Sequence, residues 1–326
     1  MKVLFFFDNY QKFNSRLYKG LITKLSDFCD FNIYGPKEHE SNSKLAPVEY
    51  NKKITGKDII GLFNPDVLLF QIYSPRCISW YPDNICKSGV PSAIITDDHY
   101  TRIEELQAVD KSNIVLDWCE NSGLTLLINR HFYEENPSSV QSVWLPPCAN
   151  ENEFYPDENI ERKSIIGFAG SSNNGMYYAV RHKAREILKS RGLLDTNNGK
   201  VGADKYPEYL KSHIGMLACA GGVLHTPLSK TFEITLSGTA MMTNWMYESK
   251  RLFGDKKCFF TYKDDISDIV DVANTILNDK DMVKEVTSNA LEVVREKHTD
   301  HIRIMELVDI LLSLVEGREV PRVWGR

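Results

Sequence analysis

A lysine and a glutamate stand three residues apart in the segment HTPLSKTFEITLSGTAMMTN, which covers residues 225–244. The pattern predicts a helix over Thr231–Ser237 with Glu233 in its first turn. A carboxylate in that turn can simply complement the helix dipole. Alternatively, Glu233 can accept hydrogen bonds from two hydroxyls of a ribose while Lys230 beside it binds phosphate, with Thr231 in the same nucleotide-binding group.

A loop rich in glycine and serine follows the strand-like run IIGFAG, residues 165–170. Gly170, Ser171 and Ser172 precede a predicted helix, so backbone N–H groups and the positive end of the helix dipole would face a ligand. This arrangement suits a diphosphate, to which Arg181 on the helix could add charge-assisted hydrogen bonds. The loop could equally be a tight turn, and Arg181 a solvated surface arginine.

Two aspartates and a histidine follow another buried run in the sequence IITDDHYTR. Asp97, Asp98 and His99 would then lie at the carboxyl end of a strand, where parallel sheets bind ligands. A carboxylate beside an imidazole is what a general base needs to deprotonate a hydroxyl, which makes Asp98 and His99 candidate catalytic residues. An Asp-Asp pair also caps helices and turns well, so a structural role stays open.

The elements that must position these residues are short apolar runs alternating with helix-length amphipathic stretches. Because the runs are continuously apolar, they indicate parallel strands covered on both faces. About six strands are predicted in the first half: KVLFFF, FNIYG, VLLFQIY, SAIIT, LTLLIN and SVWLP. The second half continues with IIGFAG, HIGMLAC, AMMTN and KCFFTY, and it ends in three helices over 267–277, 281–297 and 299–316.

This alternation predicts an α/β protein with two Rossmann-like domains facing a cleft. The polar, acidic stretch over 149–163 indicates a linker between them. We therefore expect a first domain over 1–155 that binds an acceptor and a second over 156–298 that binds a nucleotide. A C-terminal helix and tail over 299–326 are expected to return toward the first domain.

Composition limits the classes of function. With 326 residues, 42% of them hydrophobic, the chain can bury a sizeable core, and its net charge of −5 gives no overall basic field for nucleic acid or anionic lipid. The seven cysteines contain no CxxC pair, which argues against a disulfide framework or structural zinc. No apolar run approaches roughly 18 residues and the start, MKVLFFFDNY, is too short for a signal sequence. We expect a cytoplasmic protein without a membrane span.

Several motifs of the second half occur in the order found in one family. The run KTFEITLSGTAMMTN resembles the nucleotide-binding signature of the GT-B glycosyltransferases, with Glu233 at the position of the glutamate that contacts the ribose. The runs GFAGSSNNGMYYAVRHKAREIL and HTDHIR are similar to motifs of the group typified by spore maturation protein B, which is related to glycosyltransferase family 4. The resemblance covers about residues 164–315, and the first half matches only in architecture.

The resemblance implies a glycosyltransferase with the GT-B fold, which moves a sugar from a nucleotide-diphosphate sugar to a hydroxyl acceptor. It implies a UDP-sugar as the donor, no metal ion and no separate cofactor, with ribose on Glu233 and diphosphate on Arg181, Lys230 and the loop at Gly170. The retaining family-4 enzymes carry a second glutamate eight positions earlier, where this chain has His225. His225 could bond the donor sugar or the phosphate, or be an ordinary histidine, so retention of configuration is expected from the family alone.

Three other functions stay open. The same fold serves nucleotide-sugar epimerases, and a catalytically inactive nucleotide-sugar-binding module would carry the same site. Some viral GT-B enzymes glycosylate modified bases in DNA, and the acidic net charge counts against this function. A basic rim could override it, formed by Arg76, Arg102, Arg130 and His131.

Overall fold

The N-terminal part of the chain forms a parallel sheet. The computed structural model describes residues 1–7, 24–35, 48–49, 54–72, 81–82, 84–96, 114–132, 138–170, 179–195, 201–219 and 225–324. Seven strands in these ranges form the first sheet, in the spatial order β3-β2-β1-β4-β5-β6-β7. They are β1 (Lys2–Phe7), β2 (Asp30–Gly35), β3 (Val48–Glu49), β4 (Val67–Ile72), β5 (Ser92–Thr96), β6 (Leu126–Asn129) and β7 (Ser142–Trp144). The sequence pattern predicts all of them except β3, whose two residues are too few to show a period.

Side chains of β1 alternate between two buried faces of this sheet. Val3 and Phe5 belong to one apolar cluster, whereas Leu4 and Phe6 belong to another. Phe6 stacks on Phe70 of β4 with ring centroids 4.5 Å apart. Because both faces are covered, apolar residues are needed at successive positions, which confirms the interpretation of the continuous apolar runs.

A second parallel sheet follows, with the order β11-β10-β9-β8 among the described residues. Its strands are β8 (Lys163–Gly167), β9 (His213–Leu217), β10 (Ala240–Asn244) and β11 (Phe260–Tyr262). Gly215 in β9 allows close packing, since a Cβ there would lie 2.8 Å from Ile276 Cγ2 and 3.1 Å from Ile166 Cδ1. The predicted α/β class with parallel sheets is confirmed.

Helices accompany both sheets. Within the described ranges they are α1 (Gly56–Phe63), α2 (Ile114–Ser122), α3 (Ala179–Ser190), α4 (Tyr206–Lys211), α5 (Ser229–Leu236), α6 (Ser249–Phe253), α7 (Ile269–Asn278), α8 (Lys280–Lys297) and α9 (Asp300–Val315). The last three match the predicted C-terminal helices to within two residues at each end. No helix in the described part of the chain is both long and apolar enough to cross a bilayer.

Contacts divide the chain into two compact units, one of residues 1–146 and 303–326 and the other of residues 147–302. Helix α9 returns to the first unit as the sequence predicts: its buried apolar residues share a cluster with Val3 and Phe5 of β1. These residues are Leu307, Ile310, Leu311 and Leu314. The tail after α9 is held by Trp324, whose Nε1 donates to Glu306 Oε1 at 3.1 Å.

The polar stretch over 149–163, interpreted from composition as a linker, packs on the second unit. Phe154 is buried, and its ring lies 6.0 Å from that of Tyr206. Arg162 donates to the carbonyl oxygens of Gly238 at 2.7 Å and Ser237 at 3.2 Å. Composition indicated a linker, and within this stretch Phe154 and Arg162 anchor the backbone to the second unit.

The packing of α9 can be tested with Leu311→Ala. Leu311 is fully buried beneath the first sheet, so the cavity left by the substitution should lower the free energy of unfolding by about 2–5 kcal/mol. Met305→Ala is the matched control, because Met305 lies on the same helix and is 46% exposed; it should change stability by about 0.5 kcal/mol or less. Equal losses from the two variants in urea unfolding would contradict the packing of this helix.

Candidate functional site

The parallel strands of the second sheet bring their carboxyl ends to one edge. Strand β8 leads into residues 168–170, β9 into 218–219, and β10 into Trp245. Ligands of parallel α/β sheets bind outside this edge. The candidate residues of the second half are therefore expected at this edge.

Two cations converge on Gly170. A Cβ added to this glycine would lie 2.7 Å from Lys230 Nζ and 3.7 Å from Arg181 Nη1. Lys230, near the start of α5, also donates to the carbonyl oxygen of Ala169. The absence of a side chain at Gly170 thus leaves both positive groups close to the backbone at the end of β8.

Arg181 reaches this position from α3 and is buried. Its Nε donates to the Sγ of Cys219, 3.1 Å away, at the end of β9. Burial raises the pKa of the Cys219 thiol, although the charges of Arg181 and Lys230 act in the opposite direction. Cys219 therefore stays a neutral thiol at neutral pH and holds the guanidinium without cancelling its charge.

Lys230 is partly buried, and the pKa of its side chain is low for a lysine. Burial, followed by the positive charge of Arg181, lowers the pKa of its ammonium from 10.5 to about 8, while Glu233 and Cys219 act in the opposite direction. The ammonium is thus in an environment that disfavours its charge. An anion bound beside Gly170 would relieve this cost, so the electrostatics of the site favour a negatively charged ligand.

Glu233 lies in the second turn of α5, and the prediction that it lies in the first turn was wrong. The helix begins at Ser229, two residues earlier than predicted, because Leu228 takes the extended N-cap conformation without any side-chain cap. The Glu233 side chain is 8% exposed, and Tyr206 Oη donates to its Oε2 at 3.0 Å. The carboxylate is thereby oriented by a neighbouring helix, α4.

Thr231 and His225 face the end of β10. Thr231 is buried, and its hydroxyl donates to the sulfur of Met246 at 3.8 Å. His225 has a φ of 46° and holds its Nδ1 3.2 Å from the carbonyl oxygen of Trp245. The same nitrogen lies 3.5 Å from Asn244 Nδ2. His225, which precedes α5 in the chain, therefore contacts the loop after β10.

Six other candidates lie outside the described residues, and they are Asp98, His99, Ser171, Ser172, Arg76 and Arg102. His131 is buried, which does not fit the exposed basic rim considered for DNA.

The late HTDHIR motif is structural in its described contacts. His298 is fully buried in the second unit, where its Nε2 lies 2.8 Å from the carbonyl oxygen of Leu252 and its ring 4.8 Å from that of Phe232. Arg303 is buried in the first unit, pairs with Glu306 and lies under the ring of Trp324.

Sequence reasoning missed Tyr206 and Cys219. Tyr206 is 27 residues from Glu233 in the chain, and no spacing rule connects them. Cys219 carried a weak signal, because it is the last residue of the strand-like run HIGMLAC and so was expected at the edge where ligands bind.

Comparison with known proteins shows the fold. No family model and no curated protein matches the sequence. Among solved structures, sucrose-phosphate synthase from Thermosynechococcus elongatus is 9% identical, with a TM-score of 0.65 over 97% of this chain and 100% of that one. A glycosyltransferase from Rickettsia africae is 11% identical, with a TM-score of 0.61 over 97% and 99%. An alpha-glucosyltransferase solved with UDP-glucose and DNA containing an abasic site is 10% identical, with a TM-score of 0.61 over 96% and 99%.

These structures cover nearly the whole chain at a high TM-score and low identity. The chain therefore has the fold of GT-B glycosyltransferases, as its sequence predicts.

The low pKa of Lys230 predicts a pH-dependent stability. Since its folded pKa of about 8 lies below the ordinary 10.5, the unfolded chain binds more protons between these values, and wild-type stability gains with rising pH across that window. Lys230→Met removes this titration. The stability of the wild type relative to this variant should therefore rise by up to about 3 kcal/mol between pH 8 and 10.5 in urea unfolding.

The exposed Lys183 on α3 provides the control for loss of one positive charge. The stability of the wild type relative to Lys183→Met should show no such increase between pH 8 and 10.5. A difference that stays flat with pH would show that the ammonium of Lys230 is not in a costly environment.

Proposed function

We propose that this chain is a glycosyltransferase that moves a sugar from a nucleotide-diphosphate sugar to a hydroxyl group. The observation that carries the proposal is the convergence of Lys230 and Arg181 on Gly170 at the carboxyl edge of the second sheet. Two cations beside one backbone position provide the positive charge that a diphosphate needs. The shared fold with glycosyltransferases supports the same interpretation.

The nucleoside end of the donor is assigned to Glu233. This residue follows Lys230 by three positions on α5, and residues at that spacing are neighbours on a helix surface. Ribose hydroxyls would donate to the carboxylate while the diphosphate lies against Lys230. The hydrogen bond from Tyr206 orients the carboxylate before the ligand arrives, which reduces the entropy lost on binding.

The same cations would assist the reaction. The bond between the anomeric carbon and the phosphate oxygen breaks, and its electrons pass to the diphosphate. The acceptor oxygen bonds to the anomeric carbon as its proton passes to a base. Lys230 and Arg181 would stabilise the charge that develops on the leaving diphosphate, so we propose that transfer needs no metal ion. A UDP-sugar is the proposed donor.

Finer details rest on the sequence motifs. The acceptor is a glycan, a surface or coat component, or a small molecule, and its proposed base is Asp98 or His99. Retention of configuration and membership of the group typified by spore maturation protein B are proposed on the motif resemblance. A cytoplasmic location is proposed because the seven cysteines form no pattern typical of a disulfide framework.

DNA is the second candidate acceptor, because one similar structure was solved with DNA. The net charge of −5 and the buried His131 weigh against it. Duplex binding that weakens steeply with salt would favour DNA. A sugar epimer released without transfer would instead indicate an epimerase, and donor binding without turnover a binding module.

The assignment of Glu233 is tested by titrating UDP into the wild type and Glu233→Ala in a calorimeter. Loss of hydrogen bonds to a charged acceptor should weaken UDP binding by about 10- to 100-fold. Tyr206→Phe should weaken it less, because the carboxylate remains but loses its orientation. Glu292→Ala, an exposed glutamate on α8, is the charge-matched control and should leave the affinity unchanged.

A nucleotide lacking both ribose hydroxyls separates binding from general damage. With 2′,3′-dideoxy-UDP, the wild type and Glu233→Ala should bind equally weakly, because the carboxylate has no hydroxyl to accept from. Full UDP affinity in Glu233→Ala would overturn the assignment.

The lowered pKa of Lys230 predicts that the protein takes up protons when it binds UDP. With a pKa of about 8 in the free protein, the ammonium is roughly half charged at that pH, and a bound diphosphate would favour its charged form. UDP binding near pH 8 should therefore take up a fraction of a proton, and affinity should fall as pH rises above 8. Calorimetry in buffers of different ionisation enthalpy measures the uptake. Lys230→Arg, which stays charged, should show none.

A further inference from the structure

Two aromatic side chains stand exposed directly after β10. Trp245 is 52% exposed and Tyr247 44% exposed, whereas Met246 between them is buried. Their rings meet edge to face with centroids 5.0 Å apart. We call this pair, Trp245 and Tyr247, the aromatic platform. Two large apolar rings presented to solvent at a ligand-binding edge are typical of a binding surface.

The platform is held in place by its backbone. Tyr247 N–H donates to the carbonyl oxygen of His225 at 2.6 Å, and the Trp245 carbonyl lies 3.2 Å from His225 Nδ1. The ring of His225 lies 6.0 Å from that of Trp245. Met246 inserts its side chain into the fold and contacts Thr231. The exposed rings thus sit on a fixed loop.

Polar groups border the platform. Asn244 Nδ2 donates to Asp264 Oδ1 at 2.8 Å, and the same carboxylate oxygen lies 3.9 Å from His225 Nδ1. The Asp264 side chain is about half exposed, so its oxygens can accept hydrogen bonds from a ligand. An aromatic face with an adjacent carboxylate, amide and imidazole is suited to a molecule with one apolar face and many hydroxyls.

The position of the platform identifies its place along the ligand. Thr231, which contacts Met246, is the residue after Lys230 and lies two before Glu233. In the proposed function the ribose lies at Glu233 and the diphosphate at Lys230. The platform contacts His225, which precedes α5 in the chain, so the order along this segment is Glu233 in the second turn, Lys230 in the first turn and then the aromatic platform. The next chemical group in that direction is a sugar.

We propose that the aromatic platform binds a pyranose ring, which stacks its C–H face on Trp245 and directs hydroxyls to Asp264 and His225. The C–H bonds on one face of a pyranose carry partial positive charge, and the face of an indole is negative. This proposal rests on the proposed function, which supplies the direction of the ligand. The pyranose is either the sugar of the donor or a sugar of a glycan acceptor.

The test compares UDP and UDP-sugars in the wild type, Trp245→Ala and Trp245→Phe by calorimetry. The probes are UDP-glucose, UDP-galactose and UDP-N-acetylglucosamine. If the platform holds the donor sugar, Trp245→Ala should weaken the best-bound UDP-sugar by about tenfold and leave UDP unchanged, and Trp245→Phe should recover most of the affinity. Phe28→Ala, which removes an exposed ring of the first unit, is the control.

A second arm addresses the acceptor. The wild type saturated with UDP is screened on an array of hexose-containing glycans, and binding that disappears in Trp245→Ala assigns the platform to the acceptor sugar. If Trp245→Ala still binds UDP and binds every UDP-sugar and glycan as the wild type does, the sugar-binding role of the platform is overturned. The proposed function is then unaffected. A wild type that binds no nucleoside diphosphate would overturn the proposed function, and with it the direction on which this inference rests.

Discussion

The removal of two neighbouring positive side chains from water is the constraint on which the candidate site depends. Arg181 and Lys230 both reach Gly170, where water is partly excluded and like charges repel more strongly than in bulk solvent. The fold offsets part of this cost with neutral dipoles, the Cys219 thiol for Arg181 and the Ala169 carbonyl for Lys230. Neither partner neutralises a cation. The pKa of Lys230 stays lowered although Glu233 acts in the opposite direction, and a negatively charged ligand beside Gly170 would stabilise the ammonium further.

Such a site works only if the helix that carries Lys230 cannot shift to relax the repulsion. Helix α5 is held at its C-terminal end by Arg162, whose guanidinium binds the last carbonyls and complements the helix dipole. On its buried side, Phe232 packs between the rings of Phe253, 5.7 Å away, and His298, 4.8 Å away. Tyr206 fixes Glu233 from a third direction. These contacts explain why residues far from the site, in 149–163 and in HTDHIR, belong to its support.

How much of the fold and of the candidate site could be predicted depended on how far apart in the chain the interacting residues lie. The strands were readable because burial on both faces demands apolar residues at successive positions, as in Val3 to Phe6. The convergence of Gly170, Arg181 and Lys230 was expected, because ligands bind at the carboxyl edge of a parallel sheet. The start of α5 was misplaced because Leu228 caps it without a side-chain signal. Tyr206 was missed since its link to Glu233 depends on tertiary packing.

The residues around α5 also differ in how exposed they are. Glu233, Tyr206 and Arg181 are buried, so their chemistry is tied to the packing of the unit and can change little without loss of the fold. Trp245 and Tyr247 project into solvent from a loop, where substitution costs little stability and alters only what can stack there. A nucleotide end built into the core and a sugar end on the surface would let one fold keep its donor class while its sugar specificity varies.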